Sequence, residues 1–405
     1  MDAGAVPTTT RPARTRGARI LLIAQIVFAV WVTALLLTIV NLLDVPRLRD
    51  SDAPNEYPLV SVVIPARDEA ASIAETIRRF LDQTYPHLEL FVVDDGSSDG
   101  TAEVARRAAG GDPRATVIAG TEPPPGWLGK PWALWQGARP ARGELILFAD
   151  ADVRYEPAAV TALVAFRERT GADLVAVMPQ AEMRGFWENV LLPQLACFLF
   201  RSMPLLLSNR TRLPGLAAGG GVGNLVRRRA YERSGTHEAL RDAVIDDVGL
   251  ARLVRARGGP TRMALADRLV AIRVYHGFRE IVAGFTKNMF PLFGWGGTAL
   301  LGGSWLILHV APHLVAASGL VRLVASSALA PIEAWAAATV GVIALGRAIL
   351  FRSLGYRLDA AALGELPMSL GWCYILARSA WTVGVRKRLE WRGRLYRTVT
   401  RFGRD

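Results

Sequence analysis

The feature that most constrains this chain is an apolar run that ends in two carboxylates. Residues 145–148 are uniformly apolar, and Asp150 and Asp152 follow with one small residue between them. Such a run is typical of a buried strand, and ligands bind at the carboxyl end of strands in open α/β sheets. Two carboxylates at this spacing can share one divalent cation whose other ligands come from a diphosphate. If Asp150-Ala151-Asp152 is considered by itself, an acidic turn after a strand is an equally good interpretation.

Acids also follow the ends of two earlier predicted strands, namely Asp68 and Glu69 after 59–64 and Asp94 and Asp95 after 88–93. Further predicted elements are helices at 70–81, 101–109 and 157–170 and strands at 115–119 and 173–178. Strands that alternate with helices predict an α/β fold with a mainly parallel sheet, so these acids should meet at one rim. Carboxylates crowded at a rim repel one another unless a cation or hydrogen-bond donors join them. Three acidic strand ends at one rim therefore favour a binding site over solvated caps.

A stretch rich in proline and glycine lies between the third predicted strand and Asp150. Residues 123–134 hold four prolines and two glycines, a composition that predicts a loop. Lys130 in this loop can pair with a phosphate, and Trp132 or Trp135 can stack nearby. The alternative is an ordinary surface lysine in a loop held by tryptophans.

Two later segments supply candidates for the acceptor side. Residues 217–223 hold four glycines, which allow the backbone to approach a ligand closely, and a flexible linker is the alternative. Asp246 and Asp247 begin a predicted helix, where acids often only complement the helix dipole. An acid at this place can also act as a general base on an acceptor hydroxyl. The acceptor-side candidates are Asp246, Trp132, Gly221 and Asn224.

The chain also carries long apolar stretches. Apolar residues make up 51% of the sequence, and residues 20–43 are long enough to span a bilayer without resembling a cleavable signal peptide. The interrupted apolar stretch 186–208 predicts helices in the bilayer interface, where Arg201 and Arg210 can extend their charges toward water. The other predicted segments are a disordered basic N-terminus at 1–19, a linker at 44–58, a membrane region at 296–385 with apolar blocks at 299–324, 332–351 and 361–385, and a basic tail at 386–405.

The charge and cysteine content exclude some classes of protein. The net charge of +12 suits an anionic membrane surface or an anionic substrate. Nucleic acid is disfavoured as a partner, because the arginines cluster beside apolar blocks rather than among aromatic residues of a soluble domain. Cys197 and Cys373 are too few for a disulfide framework, so we expect free thiols in a reducing compartment.

Taken together, these motifs resemble family 2 glycosyltransferases with the GT-A fold. The resemblance covers roughly residues 60–288, within a predicted glycosyltransferase domain at 59–290. It depends on the order and spacing of Val62–Glu69, Val92–Thr101, Asp150–Asp152, Gly219–Arg229 and Asp246–Asp247. The resemblance implies that the nucleoside pocket is lined by Pro65, Arg67, Glu69 and Asp95. It also implies that Asp150 and Asp152 hold the diphosphate and a divalent Mn²⁺ or Mg²⁺, and that Asp247 is the general base, with Asp246 in place of the family's glutamate.

Two segments resemble a membrane-associated branch similar to carotenoid- and hopanoid-associated glycosyltransferases, namely residues 129–133 and 275–288. The Gln-x-x-Arg-Trp signature of processive synthases is absent, which favours a single transfer. The resemblance implies one inverting transfer from a nucleotide sugar, with UDP expected as the nucleotide. The implied acceptor is a hydroxyl or carboxyl of a lipid-like molecule such as a carotenoid, hopanoid, glycolipid or polyprenyl phosphate.

The resemblance also implies an orientation in the membrane. Nucleotide sugars are cytosolic, so we expect a multi-pass protein of the plasma membrane whose catalytic domain faces the cytosol. The N-terminus would then lie outside, although four arginines at 11–19 argue for the inside. The tail after residue 385 is basic and should lie inside, which makes the last apolar block re-entrant or interfacial.

Two other classes of function remain as alternatives. A non-catalytic membrane protein with a nucleotide-binding domain is disfavoured, because Asp95, Asp150, Asp152 and Asp247 are all present. A membrane nucleotidyltransferase would usually carry a glycine-rich phosphate loop after its first strand, and residues 65–69 contain no glycine.

Overall fold

The computed structural model describes residues 11–387, 389–391 and 394–396. Its strands are β1 (Val60–Ala66), β2 (Leu88–Asp94), β3 (Ala115–Ala119), β4 (Leu145–Phe148), β5 (Val153–Tyr155), β6 (Leu174–Ala181), β7 (Asn224–Arg227), β8 (Thr261–Ile272), β9 (Leu389–Trp391) and β10 (Arg394–Tyr396). The first eight form one sheet in the order β3-β2-β1-β4-β7-β6-β8-β5, and β9 pairs with β10.

Fifteen α-helices surround this sheet in the described part of the chain. They are α1 (Arg11–Asp44), α2 (Ile73–Leu81), α3 (Thr101–Ala109), α4 (Gly129–Ala138), α5 (Ala159–Thr170), α6 (Phe186–Leu191), α7 (Pro193–Ser202), α8 (Leu205–Arg210), α9 (Arg228–Arg233), α10 (Asp246–Ala256), α11 (Gly277–Trp305), α12 (Ala311–Ser326), α13 (Pro331–Leu354), α14 (Leu358–Leu363) and α15 (Glu365–Ser379). Short 3-10 turns lie at Pro214–Leu216 and His237–Leu240, and π-helical turns lie at Leu306–Val310 and Ala380–Val385.

The sheet confirms the predicted α/β fold class. The ladders β3-β2, β2-β1, β1-β4 and β6-β8 are parallel, whereas β7 runs antiparallel to both β4 and β6, and β5 runs antiparallel to β8. The sheet is therefore mixed, with its parallel half formed by the first four strands. Ala66 pairs with Asp94, and Val63 pairs with Phe148, so the ends of β1, β2 and β4 lie at one edge. This register confirms the predicted rim of acids.

Two hydrophobic cores cover the two faces of the sheet. One contains Ile77 and Phe80 of α2, together with residues of α5. The other contains Leu134 of α4 and Phe200 of α7, and it also includes Phe351 near the end of α13. Because α13 shares this second core, the C-terminal helices are packed directly onto the sheet domain.

The prediction of a loop at 123–134 is wrong for its second half. Residues 129–134 belong to α4, which begins at Gly129 and carries Lys130 and Trp132. Pro131 stands in the first turn, where backbone N–H groups have no partner within a helix, so its missing N–H costs no hydrogen bond. The prolines at 123–125 lie before the helix and do not interrupt it.

The N-terminal segment differs in two respects from the expectations. Helix α1 begins at Arg11, so the described part of the segment expected to be disordered is helical, and residues 1–10 lie outside the described residues. The linker after α1 is bound to the sheet, because Leu48 N donates to Leu265 O at 2.8 Å and Leu265 N donates to Pro46 O at 2.8 Å. These bonds attach the end of α1, a candidate membrane span, to β8.

Three helical segments of the described chain are long and apolar enough to cross a membrane, namely Arg16–Asp44, Phe293–Ser326 and Pro331–Leu354. The last two form an antiparallel pair that brings the chain back to the sheet domain, where Arg47 Nη2 donates to Ser353 O at 2.8 Å.

The last predicted apolar block forms α14, α15 and a π-helical turn. Trp372 Nε1 of α15 donates to Leu191 O of α6 at 3.1 Å, so this block packs against the interfacial region.

The interrupted stretch 186–208 forms the three short helices α6, α7 and α8. Apolar side chains on their outer surface are exposed, including Phe186, Leu195 and Phe198. Arg210 is exposed as expected, whereas Arg201 is buried and its guanidinium lies 5.1 Å from the centre of the Trp31 ring. Arg201 therefore packs against α1 instead of extending toward water.

Both cysteines, Cys197 and Cys373, are free thiols, as predicted.

Candidate active site

The loops after β1 and β2 are joined by hydrogen bonds at the rim. Ser98 N donates to Asp68 Oδ1 at 2.8 Å, and Glu69 N donates to Thr101 Oγ1 at 2.8 Å. Arg67 donates from Nη1 to the carbonyl oxygen of Asp95, whose side chain is buried. The structure thus brings together the nucleoside-pocket candidates Arg67, Glu69 and Asp95.

Pro65 and Asp94 have surroundings that the sequence did not reveal. Pro65 does not end β1, because the strand continues to Ala66 and Pro65 pairs in register with Val93. Asp94 Oδ1 is buried without a hydrogen-bond partner among the described residues. Buried acceptors are nearly always paired in folded proteins, so this oxygen is available to a donor group of a ligand.

A second group of charged residues converges at the end of β4. Lys130 Nζ donates to Asp150 Oδ1 at 2.6 Å and lies 3.9 Å from Asp246 Oδ1. Asp247 follows at the start of α10, and all four side chains line one pocket. The full lining is Lys130, Leu134, Phe148, Ala149, Asp150, Gly220, Gly221, Asn224, His237, Asp246, Asp247 and Leu250.

The electrostatics of this pocket differ from those of a solvated surface. Burial opposes the charge of Lys130, but the carboxylates of Asp150, Asp246 and Asp247 outweigh it and raise the lysine pKa. Burial, together with the neighbouring Asp246, raises the pKa of Asp247 to about 6. A carboxyl group with a pKa near neutrality is suited to accept and release a proton.

The glycine-rich segment forms the wall of the pocket. A Cβ atom on Gly221 would lie 3.0 Å from Asp150 Oδ2 and 3.5 Å from Asp247 Oδ2. Asn224 Nδ2 donates to Asp247 O at 3.1 Å, and its Oδ1 accepts from Gly220 N at 3.2 Å. Gly221 and Asn224 therefore line this pocket, and the lack of a side chain on Gly221 leaves room beside both carboxylates.

Trp132 is the one acceptor-side candidate that the structure keeps away from this pocket. Its indole donates to Thr121 O at 2.8 Å and stacks on Trp135 with 4.9 Å between ring centres. Residues two apart on a helix point in nearly opposite directions, so Trp132 cannot share the face of Lys130. The opposite directions of Lys130 and Trp132 could not be predicted from the sequence, because the composition of the segment indicated a loop.

The pair Asp150 and Asp152 fits a divalent ion that takes further ligands from a substrate. Thr76 Oγ1 donates to the carbonyl oxygens of Ala151 at 2.9 Å and Val153 at 3.1 Å, which fixes the backbone between and after the two acids. Within the described chain, no group of three or more His, Cys, Asp or Glu could hold a metal alone. Mg²⁺ and Mn²⁺ sites commonly combine one or two carboxylates with substrate phosphates.

His237 lines the pocket, with Tyr231 in contact with its ring, and neither was singled out from the sequence. His237 is buried, and its Nε2 lies 3.9 Å from Asp246 Oδ2. A lone histidine in a short turn carries no periodic signal, and only the position of that turn against β4 brings the ring to the acids.

Residues 61–235 match the model of glycosyl transferase family 2. This part of the chain is similar to the glycosyl transferase family 2 domain. This match confirms the resemblance inferred from the motifs, and it covers the loops after β1 and β2 together with Asp150 and Asn224. Asp246 and Asp247 lie just beyond the matched residues.

The chain is also similar to 4,4'-diaponeurosporenoate glycosyltransferases of Staphylococcus aureus. The protein of strain USA300 is 27% identical over 248 residues, which cover 60% of this chain and 63% of the relative. The protein of strain MRSA252 is 28% identical over the same length. This chain therefore matches less than two thirds of the length of these relatives. These relatives are glycosyltransferases by name, the class of enzyme that the motifs predict.

Two solved structures are similar at lower identity. One is a mannosyltransferase from Pyrobaculum calidifontis in complex with GDP-Man and Mn²⁺, with a TM-score of 0.49, 21% identity, and coverage of 91% of this chain and 99% of that chain. The other is glucosyl-3-phosphoglycerate synthase from Mycobacterium tuberculosis with Mn²⁺ and UDP, with a TM-score of 0.37, 23% identity, and coverage of 56% and 75%.

Proposed function

We propose that this chain is a membrane-bound, inverting glycosyltransferase that transfers one sugar from a nucleotide sugar to a lipid-like acceptor. The observation that carries the proposal is the meeting of Lys130, Asp150, Asp246 and Asp247 in one pocket at the carboxyl edge of a family 2 domain. Within this pocket the cation of Lys130 can offset the negative charge of the departing nucleoside diphosphate. The raised pKa of Asp247 suits proton transfer.

The donor is proposed to bind across the two groups of loops at the rim. Its nucleoside would contact Arg67, Glu69 and Asp95, and Asp94 Oδ1 supplies a buried acceptor for a base or ribose donor. Its diphosphate would lie beside Lys130. UDP sugars are the first donors to test, because the motif resemblance points to UDP.

The proposed chemistry is a single displacement at the anomeric carbon. Asp247 accepts the proton of the acceptor hydroxyl as that oxygen forms its bond to the anomeric carbon from the side opposite the diphosphate. The bond to the diphosphate oxygen breaks, and Lys130 offsets the charge that develops there. Asp150 and Asp152 would hold a divalent ion, which supplies Lewis-acid stabilisation of the leaving group when bound.

The acceptor is proposed to arrive from the membrane. A second cavity lies at the end of β6 and is lined by Gln180, Ala181, Glu182, Met183, Arg184, Asn189, Gly355, Tyr356 and Arg357. Strand β6 runs in the same direction as β4, since both are antiparallel to β7, so this cavity opens at the catalytic edge. Its other wall is formed by residues 355–357, which directly follow α13, a candidate membrane span. A lipid-like head group could therefore pass from the bilayer to the acids without leaving the protein surface.

The catalytic domain is proposed to face the cytosol at the plasma membrane. The contact between Arg47 and Ser353 puts the ends of α1 and α13 on the domain side, and the turn at 327–330 on the opposite side. A single cysteine introduced at Ser327 should react with an impermeant maleimide added to intact cells in a background without native cysteines. Labelling only after lysis would contradict this orientation.

The proposed function is tested by donor turnover in detergent. We expect one nucleotide sugar of a panel to release its nucleoside diphosphate with Mn²⁺ or Mg²⁺, and EDTA or Asp152→Ala to abolish release. Asp112→Asn, which alters an acid far from the rim, is the matched control. Release of pyrophosphate from nucleoside triphosphates would instead indicate a nucleotidyltransferase. A folded protein that binds no nucleotide sugar would be non-catalytic.

A further inference from the structure

The ring of His237 lies in the catalytic pocket, but its 3-10 turn, His237–Leu240, carries none of the three pocket aspartates. Its side chain is 1% exposed, and its ring packs edge-to-face on Phe148 with 4.6 Å between ring centres. Phe148 is the last residue of β4 and stands two positions before Asp150. The ring is therefore fixed to the strand that leads into the candidate metal-binding pair.

Tyr231 contacts the Nδ1 edge of this ring. The backbone N–H of His237 donates to the Tyr231 hydroxyl at 3.1 Å, and the same hydroxyl lies 2.9 Å from Nδ1. A hydroxyl that accepts the backbone N–H keeps its own proton, which it can donate to Nδ1. A neutral imidazole that accepts at Nδ1 carries its own proton on Nε2. Burial and the charge of Lys130 lower the pKa of His237 to about 3, so the ring stays neutral.

The other ring nitrogen, Nε2, is the one near Asp246. Nε2 lies 3.9 Å from Asp246 Oδ2, and Lys130 Nζ lies 3.9 Å from Asp246 Oδ1. Both distances are longer than a formed hydrogen bond, as is common in catalytic sites before a substrate closes them. The carboxylate is thus placed between a neutral donor on one oxygen and a cation on the other.

The backbone before His237 adopts an unfavourable conformation. Thr236 has φ 57° and ψ −165°, a region that a β-branched residue rarely occupies. Thr236 N donates to Tyr231 O at 3.1 Å, and Thr236 Oγ1 accepts from Glu238 N at 3.2 Å, which hold this conformation. Such conformations concentrate at functional sites, where the surrounding structure maintains them. Here the result is that the His237 ring turns into the pocket.

We propose that His237 is a positioning residue whose neutral Nε2–H orients the Asp246 carboxylate toward Lys130, and that Tyr231 selects the tautomer required for this. The inference rests on the proposed function, because Asp246 adjoins Asp247, the group proposed to accept the proton. A neutral donor can orient Asp246 without adding a second cation that would compete with Lys130 for the carboxylates.

The test compares three variants of the full chain with a surface control. His237→Leu removes both ring nitrogens, His237→Gln restores an N–H near the position of Nε2, and Tyr231→Phe removes only the hydroxyl. His87→Gln alters an exposed histidine and is the control. With the donor that the wild type turns over, we expect His237→Leu to lower kcat about 10- to 100-fold at an unchanged donor KM. His237→Gln should recover part of this loss, and Tyr231→Phe should lower kcat by an intermediate factor.

Nitrogen-15 NMR of histidine-labelled protein provides a readout that does not depend on activity. We expect the His237 signal, identified by its loss in His237→Gln, to show an unprotonated Nδ1 and a protonated Nε2, and Tyr231→Phe to alter that pattern. A protonated Nδ1 in the wild type would overturn the inference. So would full activity of His237→Leu, or equal losses in His237→Leu and His237→Gln accompanied by equal falls in Tm. A wild type without turnover would refute the proposed function, while the NMR result would still decide the tautomer.

Discussion

The side chain on which the proposed chemistry depends most is Asp247. Its Oδ1 accepts the N–H of Val248 at 2.8 Å, and its carbonyl accepts from Asn224, so both the helix start and the glycine-rich wall hold it in place. Burial and the adjacent Asp246 raise its pKa, and Lys130 only partly opposes this. Asp247 therefore changes protonation within the range in which enzymes are assayed.

This predicts the direction of the pH dependence. A general base acts when it is ionised, so kcat/KM should be constant above the Asp247 pKa of about 6 and should fall about tenfold per pH unit below it. Asp247→Asn should lower kcat by about a hundredfold or more, whereas Asp242→Asn, an exposed acid in the preceding turn, should keep full activity. A rate that rises as the pH falls below 6 would show that Asp247 is not the base.

At the scale of elements, the start of α10 depends on the glycine-rich segment that packs against it. A Cβ on Gly219 would lie 2.4 Å from the carbonyl carbon and oxygen of Asp247, so any side chain there must displace the helix start. Gly219→Ala should lower the free energy of unfolding by about 1–3 kcal/mol and reduce kcat as well. Gly215→Ala is the matched control, because a Cβ there meets no atom within 4 Å. A Gly219→Ala variant with wild-type Tm and kcat would contradict this packing.

Most regular elements of the sheet domain could be predicted from sequence, and the exceptions have physical reasons. Helix 101–109 and strand 115–119 have the predicted bounds, because glycines flank the helix and the strand is a short apolar run. Helix α4 could not be predicted from composition, since Pro131 is harmful or harmless depending on where the helix begins. The charged site residues follow strand ends and were found. His237 was not found from the sequence, because it reaches the pocket only through the packing of its short turn against β4.

At the scale of the whole molecule, the helices after the sheet domain contain a buried ion pair. Arg347 of α13 is 0% exposed, and its Nη1 donates to Glu365 Oε2 at 2.8 Å. Glu365 Oε1 also contacts His309 Nδ1 at 2.7 Å. This cluster joins α13, α15 and the π-helical turn before α12. Hydropathy shows that these segments are apolar but contains no information about such contacts, so their packing on the domain could not be predicted.

Removing one member of the pair should destabilise the helical region. Glu365→Gln leaves the Arg347 charge buried without its counterion, a change that costs about 3–5 kcal/mol in other buried pairs. Thermal unfolding in detergent should show a clear fall in Tm. Asp359→Asn, which removes an acid from the exposed pair with Arg357, should leave Tm unchanged. Equal Tm values for the two variants would show that the buried pair does not hold these helices together.

The most direct test of the central claim is sugar transfer to a membrane lipid. Purified protein would be incubated with a radiolabelled nucleotide sugar, a divalent ion and lipids extracted from its native membrane, beside Asp247→Asn. The account predicts label in an organic-soluble product for the wild type, with inverted anomeric configuration, and none for the variant. Label that remains entirely water-soluble despite donor turnover, or an equal lipid product from Asp247→Asn, would contradict it.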